Sequence, residues 1–212
     1  MHDALILTTV FAYVAAAFVW PTLRVWRRHG VWPVVFSREA APAQRMLGRF
    51  TGALFVVIVG ASVGRIVLGS DRFGIWSAPP AFHWFGWLLL ASGTLLTVVA
   101  QRQMGASWRV GIDDRPTDLV TGGVFQVVRN PIFTGLMIFL AGYACLTPAW
   151  WSLALWVGTA AGLRVQVAWE EQHLGVLHGA TYLAYAARVG RLVPWIGRLH
   201  SPARGSETHG HS

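Results

Sequence analysis

Two polar segments carry most of the side chains in this chain that could do chemistry. Residues 118–135 read DLVTGGVFQVVRNPIFTG, and residues 170–185 read EEQHLGVLHGATYLAY. In the first segment, Asn130 followed by Pro131 is typical of a helix start, with the Asn130 side chain accepting a backbone N–H. The free N–H groups and positive dipole end of such a helix favour an anion, and Arg129 adds a charged fork for a carboxylate or phosphate. The alternative is that Arg129 binds lipid headgroups.

The residues just before this helix start offer an adaptable backbone and flat apolar surfaces. Gly122 and Gly123 allow positive φ or the close approach of a ligand, while Phe125 and Phe133 present aromatic faces. A Gly-Gly pair alone is more often only a turn. Its position beside Arg129 favours a binding site here.

The second segment brings two adjacent carboxylates to the end of an apolar run. Glu170 and Glu171 belong to a chain with only nine acidic residues. On a helix they point about 100° apart, so we expect different partners, one facing a cavity and the other pairing with an arginine. Gln166 shares a face with Glu170 at a spacing of four, whereas Arg164 lies on another face. The alternative is that both carboxylates are simply solvated at a helix end.

The composition indicates an integral membrane protein. Hydrophobic residues make up 54% of the 212 positions and charged residues only 12%, against about a quarter in soluble domains. The net charge of +8 comes from arginines dispersed around apolar runs, which argues for membrane topology and against a nucleic-acid partner. The single Cys145 excludes an internal disulfide. His173 and His178 have no recognisable ligand spacing, so no metal site is predicted.

The predicted fold is all-α, with about five transmembrane helices, and the length of the chain predicts one domain. The first apolar run is not expected to be a cleaved signal, because no basic residue precedes it. The arginines concentrate in the first loop, the third loop and the tail, which predicts an outer N-terminus and a cytoplasmic third loop and C-terminus, in a bacterial cytoplasmic membrane. The five predicted spans are Ala4 to Trp20, Phe50 to Leu68, Ala81 to Ala100, Pro131 to Leu146, and Ala149 to about Val167.

Together the two segments resemble the isoprenylcysteine carboxyl methyltransferases, membrane-embedded enzymes that use S-adenosylmethionine. The stretch LVTGGVFQVVRNPIFTG is similar to the family pattern of LVT, a glycine, an aromatic, then Arg-His-Pro, an aromatic and Gly. The stretch EEQHLGVLHGATYLAYAARVGRLVP is similar to its Glu-Glu, Leu, Gly, paired Tyr and late Pro. The resemblance implies a catalytic region with a cytoplasmic cofactor site in 101–200, after the apolar helices one to three in residues 1–100. The Ser/Gly/His-rich tail at 201–212 is expected to be disordered.

The resemblance also implies roles for individual residues. Arg129 and Glu171 would be catalytic, and Gln166 would contact the substrate where the family has an arginine that engages a carboxylate. Asn130 replaces the family's histidine, and Phe125 and Phe133 replace tyrosines, so hydrogen bonds are lost while stacking survives. The implied contacts to S-adenosylmethionine are Leu119, Val120, Phe125, Asn130, Pro131, Ile132, Phe133 and Glu170.

The predicted function is S-adenosylmethionine-dependent methyl transfer to a lipophilic acceptor that enters from the bilayer. Carboxylate O-methylation is favoured, because a cation and an anion become two neutral groups and no general base is needed. The first alternative is a phospholipid or amine N-methyltransferase, in which Glu171 or Asp118 would take the proton. The others are an NADPH-dependent reductase of sterol-type double bonds and a non-catalytic membrane protein.

Overall fold

The computed structural model describes residues 2–30, 42–105 and 118–199, and these form helices joined by short loops. The predicted all-α class is confirmed for this part of the chain, which contains no β-strand. The predicted tail at 201–212 lies outside the described residues. The six α-helices described are α1 (His2–Val14), α2 (Trp20–His29), α3 (Pro42–Leu68), α4 (Pro80–Met104), α5 (Pro131–Leu146) and α6 (Trp150–Arg188).

The first helical rod runs past its predicted end at Trp20. α1 continues through a π-helical turn, Ala15–Val19, into α2. Pro21 has no N–H and its ring would crowd the carbonyl of Ala17, four residues earlier, which is why a proline was expected to end the helix. The wider π-helical turn accommodates that ring, and the Ala17 carbonyl accepts a hydrogen bond from Gln101 Nε2 at 2.6 Å instead. The prediction of an end at Trp20 is therefore wrong.

Two of the described helices are long and apolar enough to cross a membrane, by length and composition. They are His2–Arg28 and Pro80–Met104, and shorter apolar helices occupy Gly52–Leu68 and Pro131–Leu146. These findings agree with a membrane protein. The number of five spans stays a prediction.

Glycines let α4 and α5 pack with their backbones in contact. A Cβ atom at Gly93 would lie 2.5 Å from the Phe139 nitrogen and 2.6 Å from the Gly135 oxygen. A Cβ atom at Gly142 would lie 2.6 Å from the Gly86 oxygen. Such close approach through small residues is how helices associate in membranes, where burial of apolar surface gives no advantage.

We expect Gly93→Ala to destabilise the protein by about 1–3 kcal/mol, because the added methyl meets backbone atoms that cannot rotate away. Thermal unfolding in detergent would measure the loss. Gly60→Ala is the matched control, since a Cβ atom at Gly60 has nothing within 4 Å. Equal melting temperatures for the two variants would contradict the close packing of α4 on α5.

A tight hairpin joins α5 to α6, as predicted, and the predicted bounds of α5 are confirmed. Trp156 Nε1 donates to the Met137 carbonyl at 3.0 Å across this antiparallel pair. α6 continues beyond the predicted end near Val167 to Arg188, with a kink at Gly179, where φ is 53°. The second polar segment is thus helical and extends from the same rod as the fifth apolar run.

Arg65 lies near the end of α3 and is buried. Only 4% of its side chain is exposed, and its Nη2 pairs with the Asp3 carboxylate, which also accepts from Ser70 Oγ at 3.1 Å. The ion pair joins α1 to α3. A partner from another helix, which the local sequence does not show, allows the arginine to stay buried.

Candidate functional site

The structure brings the two polar segments into contact. Arg129, just before α5, donates from Nη2 and Nε to Glu171 Oε1 on α6, at 2.6 and 2.9 Å. The two side chains are 2% and 5% exposed, so water does not compete for this ion pair. Asn130 and Glu170, their neighbours in sequence, therefore border the same region.

Arg129 uses all of its hydrogen-bonding capacity within the protein. Besides the two bonds to Glu171, its Nη1 donates to the carbonyls of Ala186 and Val189, at 2.9 and 2.5 Å. Its Nη2 also donates to the Gly197 carbonyl at 3.0 Å. A guanidinium has five N–H donors, and all five are engaged. The anion-binding or headgroup-binding role predicted for Arg129 would require breaking some of these bonds, so the geometry favours a positioning role.

Glu171 faces a second arginine as well. Arg191 Nη2 lies 2.6 Å from Glu171 Oε2, so each carboxylate oxygen has a cationic partner. The prediction that the two adjacent glutamates have different partners, one of them an arginine, is confirmed. The cavity expected beside the other glutamate stays a prediction. The catalytic roles of Arg129 and Glu171 stay predictions, since the contacts described hold both side chains in a buried network.

Glu170 and Gln166 form a separate pair on the neighbouring face of α6. Gln166 Nε2 donates to Glu170 Oε1 at 2.8 Å, which confirms the predicted shared face. Burial of the carboxyl group raises the pKa of Glu170 to about 7, although the Gln166 hydrogen bond acts to lower it and the Glu171 charge raises it further. Gln166 itself is only 7% exposed, and its Oε1 has no partner among the described residues.

Along α6, this pair lies between two contacts to the other side of the hairpin. Across the antiparallel hairpin, Trp156 contacts Met137 and Glu171 contacts Arg129, and Gln166 falls between these two levels on α6. The first N–H groups of a helix have no partner within the helix. Since Pro131 has no N–H, the free donors of the first turn of α5 are those of Ile132 and Phe133.

The Asn130 side chain does not cap α5 as predicted. Its Nδ2 donates to the Arg191 carbonyl at 3.2 Å, and its backbone N–H donates to the same oxygen at 3.2 Å. Thr134 Oγ1 donates to the Leu192 carbonyl at 2.8 Å. The segment after α6 therefore lies against the start of α5, and its carbonyls make Asn130 a donor rather than an acceptor. The residue types around Gly190 gave no indication that this segment contacts the start of α5.

The apolar residues predicted at the cofactor differ in burial. Phe125 is 7% exposed and lies in a 3₁₀ turn, Gly123–Gln126. Its carbonyl accepts from Tyr185 Oη at 2.6 Å, and burial raises the pKa of Tyr185 to about 12, so the hydroxyl stays a donor. Leu119 packs against Tyr182 and Tyr185. Val120, Ile132 and Phe133 are half-buried.

The Gly-Gly pair has a partner that the sequence analysis missed. Gly123 has φ 60°, as its type permits, and a Cβ atom there would overlap the Gln103 amide. Gln103 Oε1 accepts the Val124 N–H at 2.9 Å, which fixes the loop to the end of α4. The only available signal was a glutamine at the end of an apolar run.

About half of the chain matches known methyltransferases. Residues 81–181 match the model of the phospholipid methyltransferase family. Protein-S-isoprenylcysteine O-methyltransferase B of Arabidopsis thaliana is 30% identical over 122 residues, which is 54% of this chain and 62% of that protein. Methanethiol S-methyltransferase 2 of Bradyrhizobium diazoefficiens is 28% identical over 116 residues, 53% of this chain and 44% of that protein. The chain thus spans less than two thirds of either relative.

These matches first indicate the class, because the relatives are named as methyltransferases and support the prediction of an enzyme of that type. They also confirm the resemblance to the isoprenylcysteine carboxyl methyltransferase family. The family model covers the first polar segment and most of the second.

Proposed function

We propose that this protein transfers a methyl group from S-adenosylmethionine to a lipophilic acceptor at the cytoplasmic face of a membrane. The observation that carries the proposal is the buried Arg129–Glu171 pair, which joins the start of α5 to the second polar segment. The two segments so joined supply the N–H groups at the start of α5 and the Glu170 carboxylate on α6. The relatives by sequence support methyl transfer as the reaction.

The residues of these two segments suit the cofactor chemically. The N–H groups of Ile132 and Phe133 can bind the methionine carboxylate, since a helix start favours an anion. Glu170 can accept hydrogen bonds from a hydroxyl or ammonium group. Leu119, Val120, Phe125 and the Phe133 ring supply apolar surface for an adenine, and Asn130 and Pro131 fix the helix start. When bound, S-adenosylmethionine supplies a methyl group made electrophilic by a sulfonium.

The protein's own contribution is to orient the two reactants and keep water out. The buried pair Arg129 and Glu171, with the partly exposed Arg191, forms a network that joins the α5 start to α6. We assign these three residues to positioning. We assign Gln166, beside Glu170, to contact with the methyl acceptor. A displacement of even an ångström would slow the transfer, because methyl transfer needs the nucleophile in line with the bond that breaks.

We further propose five membrane crossings, with the N-terminus outside and the C-terminus in the cytoplasm. Besides the two long apolar helices, the shorter helices Gly52–Leu68 and Pro131–Leu146 and the first part of α6 would cross. The distribution of arginines supports this orientation. In this orientation the site would lie on the cytoplasmic side of a bacterial membrane.

The purified protein should bind S-adenosylhomocysteine in calorimetry, and Glu170→Ala should weaken that binding about tenfold or more, the effect of losing a hydrogen bond to a charged group. Asp71→Ala, which removes an exposed carboxylate on the loop after α3, is the matched control and should bind as wild type does. Binding of NADPH in place of S-adenosylhomocysteine would support the reductase instead. Failure to bind either would support the non-catalytic alternative.

The relatives do not agree on an acceptor. Their names refer to isoprenylcysteine O-methylation and to methanethiol S-methylation, and the matching family is named for phospholipid methylation. Carboxylate O-methylation, as first expected, and amine N-methylation are both compatible with the cofactor site. The side chains on α6 indicate which of these two reactions is favoured.

A further inference from the structure

We propose that the acceptor is an uncharged nucleophile that still carries a proton, a lipophilic thiol or unprotonated amine, and that Gln166 and Glu170 recognise its S–H or N–H group. This inference rests on the methyl transfer proposed above and names the acceptor class for that site. It replaces the carboxylate acceptor that the sequence had favoured.

The first support is the charge around the Gln166–Glu170 pair. The two arginines that reach this part of α6, Arg129 and Arg191, are both paired with Glu171. Arg164 is exposed and lies on another face of the helix. A carboxylate acceptor at Gln166 would therefore sit beside the Glu170 carboxyl group with no cation free among these three to neutralise it. Such placement of like charges in a buried site is strongly unfavourable.

The second support is the polarity of Gln166. Its Nε2 is already used by Glu170, and its buried Oε1 lacks a donor among the described residues. A buried amide oxygen needs a hydrogen-bond donor, since leaving it unpaired costs about 1–3 kcal/mol. A thiol or amine brings such a donor, whereas an ionised carboxylate has none. Because its Oε1 lacks a hydrogen-bond donor, the Gln166 side chain favours an acceptor that carries a proton.

The third support is the Glu170 carboxyl group, four residues along the same face. With its pKa near 7, it is partly ionised at neutral pH and able to take a proton. A carboxylate has about four acceptor positions on its two oxygens. Contact with the Gln166 amide and with the cofactor therefore leaves room for the acceptor's proton.

The proposed step balances in atoms and charge. The lone pair of the acceptor sulfur or nitrogen forms the new bond to the methyl carbon, and the bond from that carbon to the sulfonium breaks with its electrons staying on sulfur. The proton of the acceptor passes to Glu170 and then to water. The products are a methylated acceptor and a neutral thioether.

The test uses the full-length protein in detergent with labelled S-adenosylmethionine and three acceptors of equal chain length: dodecanethiol, dodecylamine and dodecanoate. We expect the thiol or the amine to be methylated at least about tenfold faster than the carboxylate, equivalent to about 1.4 kcal/mol. Gln166→Arg should shift the preference toward dodecanoate by a similar factor. Arg164→Gln, which changes an exposed side chain on another face, should leave the preference unchanged.

A second variant separates recognition from folding. Glu170→Gln should slow transfer to the thiol or amine by about a hundredfold, the lower range for loss of a general base, while S-adenosylhomocysteine still binds. Preferred methylation of dodecanoate by the wild type would overturn the inferred acceptor class but not the proposed function. Cofactor binding with no transfer to thiol or amine would have the same consequence. Absence of both cofactor binding and transfer to any acceptor would instead overturn the proposed function.

Discussion

Arg129→Met is expected to cost about 3–5 kcal/mol of unfolding free energy, the loss typical of breaking a buried ion pair from one side. The substitution leaves Glu171 with one arginine instead of two. It also removes the donors to the carbonyls of Ala186, Val189 and Gly197. Thermal unfolding in detergent would measure the change. Limited proteolysis should at the same time show that the segment after α6 becomes more accessible, because the Arg129 side chain no longer binds its Val189 and Gly197 carbonyls.

Two further variants serve as controls for this result. Arg164→Met removes an exposed arginine and should change stability by less than about 0.5 kcal/mol, as surface substitutions usually do. Arg129→Lys retains the charge but has three donors rather than five, so its stability should lie between wild type and Arg129→Met. If Arg129→Met were as stable as wild type, the five hydrogen bonds would not be holding the two segments together.

The same network shows which parts of the site the sequence could predict. Spacing along one helix predicted that Gln166 would contact Glu170, and that Glu171 would turn away toward an arginine. Both follow from the 3.6-residue period. The partners of Arg129 include backbone carbonyls nearly sixty positions away in the chain. A carbonyl is present at every residue, so no residue type marks it as a partner.

The fold was predictable to a similar extent. Continuous apolar runs gave the cores of the helices, and the Asn-Pro step gave the start of α5. The extension of the first rod past Pro21 depends on a π-helical turn and on Gln101, which lies on a different helix. The burial of Arg65 likewise depends on Asp3. Each exception is a polar group whose partner comes from another helix.

Glu170→Gln should make the protein more stable at about pH 8 and leave its stability unchanged at about pH 4. The folded-state pKa of Glu170 is about 7, raised above its ordinary value of 4.5 mainly by burial. The protonated form therefore favours folding below about pH 4.5, and this contribution is lost as the pH rises through about 7. An amide keeps the shape of the protonated carboxyl group at every pH, so it avoids the loss.

The expected gain at pH 8 is roughly 1–3 kcal/mol, less than the full pKa difference implies because part of the residue reaches solvent. Thermal unfolding of both proteins across this pH range would measure it. The charged neighbours Glu171, on α6, and Arg191, in the segment after it, are paired with each other. Both residues are the same in the two proteins compared. Glu171→Gln is the opposing control, because it weakens two ion pairs and should destabilise the protein at pH 8. A Glu170→Gln variant less stable than wild type at pH 8 would mean that the ionised carboxylate helps the fold. Stabilisation would indicate that Glu170 is kept in an unfavourable place for the sake of the reaction.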